Sequence, residues 1–421
     1  MSDDRVKKSR ELFEEAKKYL PGGGQQSRRP ENFAGNYPVF MERGRGAHVY
    51  DIDGNEYVDW LLSFGPMVLG HCYPRVDEAV IREMRKGFLF DLTHPLQVAL
   101  AKKLAGLIPC AEKVLFVNTG SGATSAAVRI ARVYTGKDMI VRWGYHGWHD
   151  WSCPRRAGIP ASTGENVATF QYNDLDSLQS VLEKNRGRVA CIIMMPFSVE
   201  LPKPGFLEGV RELADAFGAV LIFDEVRSWP RTDLGGAQRY FNVTPDMTTL
   251  SKGIANGHAI SAVVGKSDIM MAVEKTLISA TYFVSAIGFV AALETISELE
   301  EKDGIPYLWK IGSQLADGLR TIIRDRKVHA DVIGIPVMPF LIFGDQADYR
   351  RIWLAEVYER GEPGTAEDRR MMQAFYSETI NRGVFFHPRH HWFPCLSTTE
   401  EDVKKTLEAA DAAMGMALKS R

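Results

Sequence analysis

The sequence predicts an α/β protein with a mainly parallel sheet covered by helices, followed by a separate α+β unit. Three observations carry that expectation. From about Pro74, helical segments of ten or more residues alternate with the short apolar runs "KVLFVN", "DMIVRW", "ACIIMMP", "AVLIFDEV" and "ISAVVGK". Such runs, apolar on both faces, suit strands covered on both faces, as in a parallel sheet with helices on either side. At 421 residues the chain exceeds what one typical core holds, so two or three domains are expected. After a long helical stretch near Ser285–Leu299, the remaining residues mix strand-like "VMPFLIF" and "GVFFHP" with helices. The boundaries read as 1–65 for an N-terminal segment, 66–300 for the large domain and 301–421 for the C-terminal α+β unit.

In chain order, "MSDDRVKKSRELFEEAKKYLPGG" is charged and patterned as an amphipathic helix, without the apolar centre of a secretory signal. "PGGGQQSRRPENFAGNYP" is a turn-rich crossing, and "AHVYDIDGNEYVDW" reads as a hairpin around Asp-Gly-Asn. No apolar run reaches membrane-spanning length. A net charge of -2, with 45% apolar and 25% charged residues, excludes the electrostatic footprint of a nucleic-acid or anionic-membrane binder and leaves a small molecule as the natural partner. Cys72, Cys110, Cys153, Cys191 and Cys395 are scattered and never form C-x-x-C, which argues against a disulfide framework or zinc site. The expected home is a reducing cytoplasm, and no metal is expected.

Four features carry chemistry. "AVLIFDEVRSWPR" ends a buried-type strand on Asp224 and Glu225; ligands gather at strand carboxyl ends in open α/β sheets, although a cap or loop anchor needs the same residues. "VLFVNTGSGATSAAVRIARVYTG" is a strand, a turn of small residues and a helix. A helix start with free N–H groups is an anion site, and Ser121 adds a hydroxyl, but glycine-rich strand-to-helix turns are common. The spacing matches neither the Walker nor the dinucleotide fingerprint, so another phosphate-bearing cofactor is implied. Lys252 lies between "DMTTL" and a Gly/Ala-rich segment, with no charge nearer in sequence than Asp246 and Lys266. It is either a reactive amine or a lysine laid along a loop. Tyr145 in "WGYHGWHD" is either an aromatic facing the ligand or a core tyrosine.

Together these residues resemble the class III, fold-type I enzymes that use pyridoxal phosphate, and within them the glutamate-1-semialdehyde aminomutase group. The similarity runs in order through "LFEEAKKYLPGG", "AHVYDIDGNEYVDW", "GPMVLGH", "FDEV", "GGAQRYFNVTPDMTTLSKGI", "RGVFFHP" and "TTEEDVKKTL". It implies a seven-stranded type of sheet in the large domain and a small domain built from both chain ends. It implies that Lys252 forms a Schiff base with the cofactor, Asp224 pairs with the ring nitrogen, and Gly120 and Ser121 hold the phosphate. Val226, Tyr145 and His146 border the ring, and Thr281 reaches the neighbouring subunit's cofactor in a homodimer. Arg29, one residue from Arg28, falls where the group places an arginine for the substrate carboxylate; Phe64, Glu200, Arg389 and Trp392 complete the substrate-binding candidates.

The substrate end departs from the family pattern. "NSGTEA" has become "NTGSGA", with Gly122 for a glutamate, and "IIVEP" has become "IIMMP", with Met195 for another. Glu200 stands at an asparagine position, "ATYFVSAIG" replaces a Gly-Thr-x-Ser-Gly-Asn-Pro gate, and "HPRHHWFPC" supplies Arg389, His390, His391 and Trp392 where a carboxylate is usual. These exchanges alter what a pocket accepts. The expectation is an aminotransferase moving an amino group between an amino acid or amine donor and a keto or aldehyde acceptor. An aminomutase or an epimerase is the alternative, and a cofactor-holding protein without catalysis is the third reading.

Overall fold

The structure, a computed structural model, describes residues 5–33, 39–349 and 363–420. The end of the turn-rich crossing, residues 34–38, lies outside the described residues. Two compact units divide at Tyr73/Pro74 and again at Ile305/Pro306. One holds the described residues through Tyr73 and from Pro306 onward, and the other holds Pro74–Ile305.

The first unit begins with helix α1 (Lys7–Tyr19). Strands β1 (Met41–Arg45), β2 (His48–Asp51) and β3 (Glu56–Asp59) follow as an antiparallel meander. The Asp51 carboxylate accepts the Asp53 and Asn55 N–H groups at 3.1 and 2.8 Å, so the β2–β3 turn closes through side chain as well as backbone.

The second unit opens with helices α2 (Pro74–Met84) and α3 (Pro95–Leu107). Strand β4 (Lys113–Val117) then leads into helix α4 (Gly120–Thr135), and β5 (Met139–Trp143) and β6 (Val167–Thr169) follow. Helix α5 (Leu175–Lys184), β7 (Val189–Met194), helix α6 (Phe206–Phe217), β8 (Val220–Asp224), β9 (Met247–Leu250) and β10 (Ser261–Gly265) complete the alternation. Strand order is β4-β10-β9-β8-β7-β5-β6, with β10 antiparallel to both neighbours and the remaining pairs parallel. Every residue of β7, β8, β9 and β10 is buried, the signature of strands covered on both faces. Ala123, Ala126, Ala127 and Ala131 put small side chains on α4 where it packs among sheet residues such as Ile193 and Ile222. Thr119 caps its start and Gly136, in the left-handed region, ends it.

Back in the first unit, β11 (Ala330–Ile333) pairs with β12 (Phe340–Phe343), and β13 (Val384–Phe385) adds parallel to β3. Helices Ala366–Asn381 and Glu400–Lys419 both begin with capping boxes, Thr365/Asp368 and Thr399/Asp402. Their apolar faces share a core with Trp60, Phe343, Phe375 and Trp392. Among the described residues no helix is long and apolar enough to cross a membrane, and none of the His, Cys, Asp and Glu side chains group as a metal site.

Candidate active site

The parallel strands of the second unit end at one edge. There the chain leaves β4 at Gly120, β5 at Tyr145, β8 at Asp224 and β9 just before Lys252. Asp224 pairs in register with Thr249 of β9, so Asp224 and Lys252 emerge from neighbouring strand ends. The Asp224 carboxylate, 6% exposed, faces the segment after β5, where His146 Nδ1 lies 2.7 Å from Oδ2. Its other oxygen accepts the Val226 N–H at 3.1 Å and the Thr249 hydroxyl at 3.2 Å. His146 Nε2 faces the Trp143 carbonyl at 3.0 Å. Both ring nitrogens of His146 thus face oxygen acceptors, the carbonyl at Nε2 and the carboxylate at Nδ1.

Glu225 turns the opposite way. It is fully buried, takes the Ala237 N–H at 2.6 Å, and burial pushes its carboxyl up to about 7 against the hydrogen bonds that favour the charged form. A side chain at Gly236 would begin 2.6 Å from its Oε1. The adjacent acids thus divide the work of the segment, with Asp224 toward the β5 loop and Glu225 toward the turn before Ala237.

Close approaches bind the edge together. A Cβ on Gly120 would sit 2.7 Å from Val226 Cγ1 and 3.5 Å from Ser251 Cβ, so the first turn of α4 touches the segments that follow β8 and β9. A Cβ on Gly147, at φ +108°, would lie 2.2 Å from Ser121 Oγ. Only glycine lets the β5 loop cross the helix there. The Thr119 hydroxyl accepts the Gly122 N–H at 3.0 Å, leaving other first-turn N–H groups to face an anion.

Tyr145 is 44% exposed, which removes the core-tyrosine alternative. Lys252 is half-buried and adopts φ +46°, a conformation that costs a residue other than glycine about 1 kcal/mol or more and directs attention to function. Thr281 is exposed, and the adjacent Tyr282 carbonyl accepts from Asn118 Nδ2 at 2.9 Å, which ties its segment to the turn before α4. Glu200 Oε1 accepts from Asn173 Nδ2 at 3.0 Å. Met195, in place of the family glutamate, receives an Arg227 guanidinium N–H at 3.3 Å on sulfur, and the same nitrogen reaches Ser198 Oγ at 3.0 Å.

The remaining substrate candidates belong to the first unit. Arg29 donates to the Gly24 carbonyl at 3.3 Å, while the Arg28 guanidinium lies over the Phe64 ring at 5.1 Å. Phe64 sits in a left-handed run, Leu62–Gly65, with φ between 49 and 103°. Its ring meets His387 and His390 edge-on at 5.4 and 5.1 Å. Arg389 is exposed. Trp392 has no exposure, stacks on Phe386 at 3.8 Å and donates to the His387 carbonyl at 3.0 Å. Sequence reasoning passed over Thr249, whose hydroxyl supports Asp224; a β-strand threonine facing a strand-end acid gives no local signal.

Residues 31–414 match the family described as aminotransferase class-III. The chain belongs to the class III aminotransferases. It is 42% identical over 414 residues to the 3-aminobutyryl-CoA aminotransferase of Cloacimonas acidaminovorans (strain Evry), covering 96% of each chain. It is 34% identical over 425 residues, again 96% of each, to a glutamate-1-semialdehyde 2,1-aminomutase of Syntrophobacter fumaroxidans. The FumI protein of Sphingopyxis sp. MTA144, solved in a form that holds pyridoxal phosphate, superimposes with a TM-score of 0.89 at 28% identity, covering 99% of this chain and 97% of that one. The protein is a fold-type I enzyme of the aminotransferase class, whose cofactor is pyridoxal phosphate. The residues at the strand ends are of the kind that cofactor needs: side-chain-free crossings at Gly120 and Gly147 beside the start of α4, where a phosphate would sit, and a buried carboxylate at Asp224, which a protonated ring nitrogen would meet.

Proposed function

We propose that this aminotransferase holds its cofactor through the Lys252 amine, keeps the ring nitrogen protonated with Asp224, and takes its amino group from a β-amino acyl compound. The observation that carries the reading is the emergence of Asp224 and Lys252 from adjacent parallel strand ends, with His146 on Asp224 at 2.7 Å. When bound, pyridoxal phosphate supplies an aldehyde that captures amines and a ring that withdraws electron density from the substrate carbon. Asp224 holds a negative charge beside the ring nitrogen, and His146 and Thr249 fix the direction of its oxygens. With the cofactor bound and the substrate amine in its place on it, the freed Lys252 Nζ would carry the proton away from the substrate carbon, the work of a positioned general base. Ser121 and the first-turn N–H groups of α4 bind the phosphate, while Val226 and Tyr145 border the two ring faces.

The donor class draws support from two sources. Gly122 and Met195 stand where the resemblance expects glutamates, which leaves fewer negative charges to meet the substrate. The relative at 42% identity is named for a 3-aminobutyryl thioester. The acceptor is a keto or aldehyde compound. A homodimer accompanies this reading, with Thr281 completing the phosphate site of the second copy. Thr281 is exposed, and Leu277 and Tyr282 near it are 77% and 67% exposed. A reducing compartment suits the five free cysteines.

The test is a single-turnover reaction with a β-amino acyl thioester and no acceptor. The expected result is one keto product per active site and cofactor left in its amine form. An isomerised product without any keto compound would assign the chain to the aminomutases, as its relative at 34% identity is named, and a scrambled stereocentre would assign it to the epimerases.

A further inference from the structure

Helix α4 places three hydroxyls on one face, Ser121, Thr124 and Ser125, at the spacing that brings helical side chains together. All three hold the loop that follows β5. Ser121 Oγ accepts the Trp148 N–H at 3.3 Å, and the Thr124 hydroxyl donates to the His146 carbonyl at 2.6 Å. Ser125 Oγ lies 2.6 Å from His149 Nδ1 and accepts the Trp151 indole N–H at 2.9 Å. From the other side, the Ser152 hydroxyl accepts the His146 N–H at 3.1 Å.

The Trp151 ring in turn stacks on the His146 imidazole, with centroids 5.9 Å apart and planes 12° apart. A continuous path therefore runs from Ser125 through the indole of Trp151 to His146 and on to the Asp224 carboxylate. His146 has two rotatable bonds, and its ring plane decides where Nδ1 points. Thr124 and Ser152 fix the His146 backbone; the stacked indole fixes the plane. The indole is itself oriented by the one polar atom it owns, the N–H on Ser125. The hydroxyl of Ser125 is oriented because one lone pair is taken by Trp151, which leaves its remaining capacity for His149.

We propose that Ser125, His149 and Trp151 form a positioning clamp that sets the plane of His146 and, through it, the direction in which Asp224 meets the cofactor ring. The residues of the clamp touch neither substrate nor cofactor in this scheme; they act through His146. The proposal rests on the reading that Asp224 pairs with the ring nitrogen.

The experiment compares Ser125→Ala, Ser125→Thr, Trp151→Phe and His149→Asn as full-length protein. Cofactor affinity, the visible circular dichroism of the bound cofactor and the melting temperature of the cofactor-free form are each measured. Ser125→Ala is expected to raise the cofactor dissociation constant about tenfold, the usual scale for one lost partner of a partly buried hydrogen bond, and to weaken the visible dichroism that reports ring orientation. Ser125→Thr restores the hydroxyl and is expected to return both readouts. Trp151→Phe keeps a ring against His146 and loses only the N–H, so it should shift the dichroism while leaving the cofactor-free melting temperature near that of the parent; it also serves if Ser125→Ala does not fold. Unchanged affinity and dichroism in Trp151→Phe and His149→Asn, with the parent binding cofactor normally, would overturn the clamp alone. A parent that binds cofactor with no dependence on Asp224 would instead overturn the reading on which it rests. Equal losses in the Ala and Thr variants would also sink it, since volume rather than the hydroxyl would then be responsible.

Discussion

The strand-end site of Pro74–Ile305 and the His387–Trp392 segment of the other unit are both rich in titratable side chains, yet they are built on opposite principles. At the strand ends, Asp224 lies under a histidine, a hydroxyl and a backbone N–H. Each of its oxygens has a polar partner. Along His387–Trp392 the polar atoms serve the local backbone: His387 Nδ1 accepts the Arg389 N–H at 3.0 Å, and His390 Nδ1 lies 2.9 Å from the His391 carbonyl. The rings themselves pack on aromatics. Burial, reinforced by the Arg389 charge, pushes the His387 imidazole down to about 3. One region surrounds a carboxylate with polar partners, and the other buries a histidine so that it packs as an aromatic.

The largest effect that would break this contrast is at Lys252. Lys252→Ala should lower turnover by about 10⁴-fold, the upper range for a positioned proton carrier, and borohydride reduction of the parent should label the peptide containing Lys252. A label on another lysine would dismantle the assignment of the strand-end site. Asp224→Asn follows, with an expected loss of about 10²–10³-fold in kcat and little change in melting temperature; turnover close to the parent's would move the role elsewhere.

Substrate recognition sharpens the comparison at the next level. If Arg29 reads a carboxylate, Arg29→Ala should raise KM for an acidic donor by about 10–100-fold, as loss of a charge-assisted pair does, and barely alter a neutral amine. The same pair of donors on Arg389→Ala tests the exposed arginine. Equal losses with both donors in both variants would show that neither reads a carboxylate.

The smallest effects concern pH, and the two regions should respond with opposite sign. Glu225 is held near 7 in the folded protein against an ordinary 4.5. Between those values the unfolded chain has released the proton that the folded chain keeps, so its contribution falls as pH rises. His387 is held near 3 against an ordinary 6.5. Between those values the unfolded chain binds a proton that the folded chain refuses, so its contribution falls as pH falls. Urea unfolding across pH 4–8 should show Glu225→Gln flattening the loss toward neutral pH and His387→Phe flattening the loss toward acid, each by ~1–3 kcal/mol. Parallel slopes in both variants would refute the contrast.

Sequence by itself determined the alternation of helices with short apolar runs and the placement of Asp224 and Lys252 at strand ends. These are local properties: strand burial shows in composition, and a residue at a strand end is legible from where the apolar run stops. Tertiary structure alone decided the order β4-β10-β9-β8-β7-β5-β6, because which strands pair depends on loop closure and packing across long separations that no local period records. The same long-range pairing brought His146 onto Asp224, a sequence separation of 78, and laid Trp151 and His149 on Ser125. It also turned Glu225 inward, since alternate residues leaving a strand face opposite sides and only the packed sheet shows which side holds the β5 loop. Trp392 illustrates the reverse case. Its neighbours in "HPRHHW" suggest a ligand-facing segment, yet the fold gives the indole no exposure, because burying a large aromatic with its N–H satisfied is worth more to a core than to a surface.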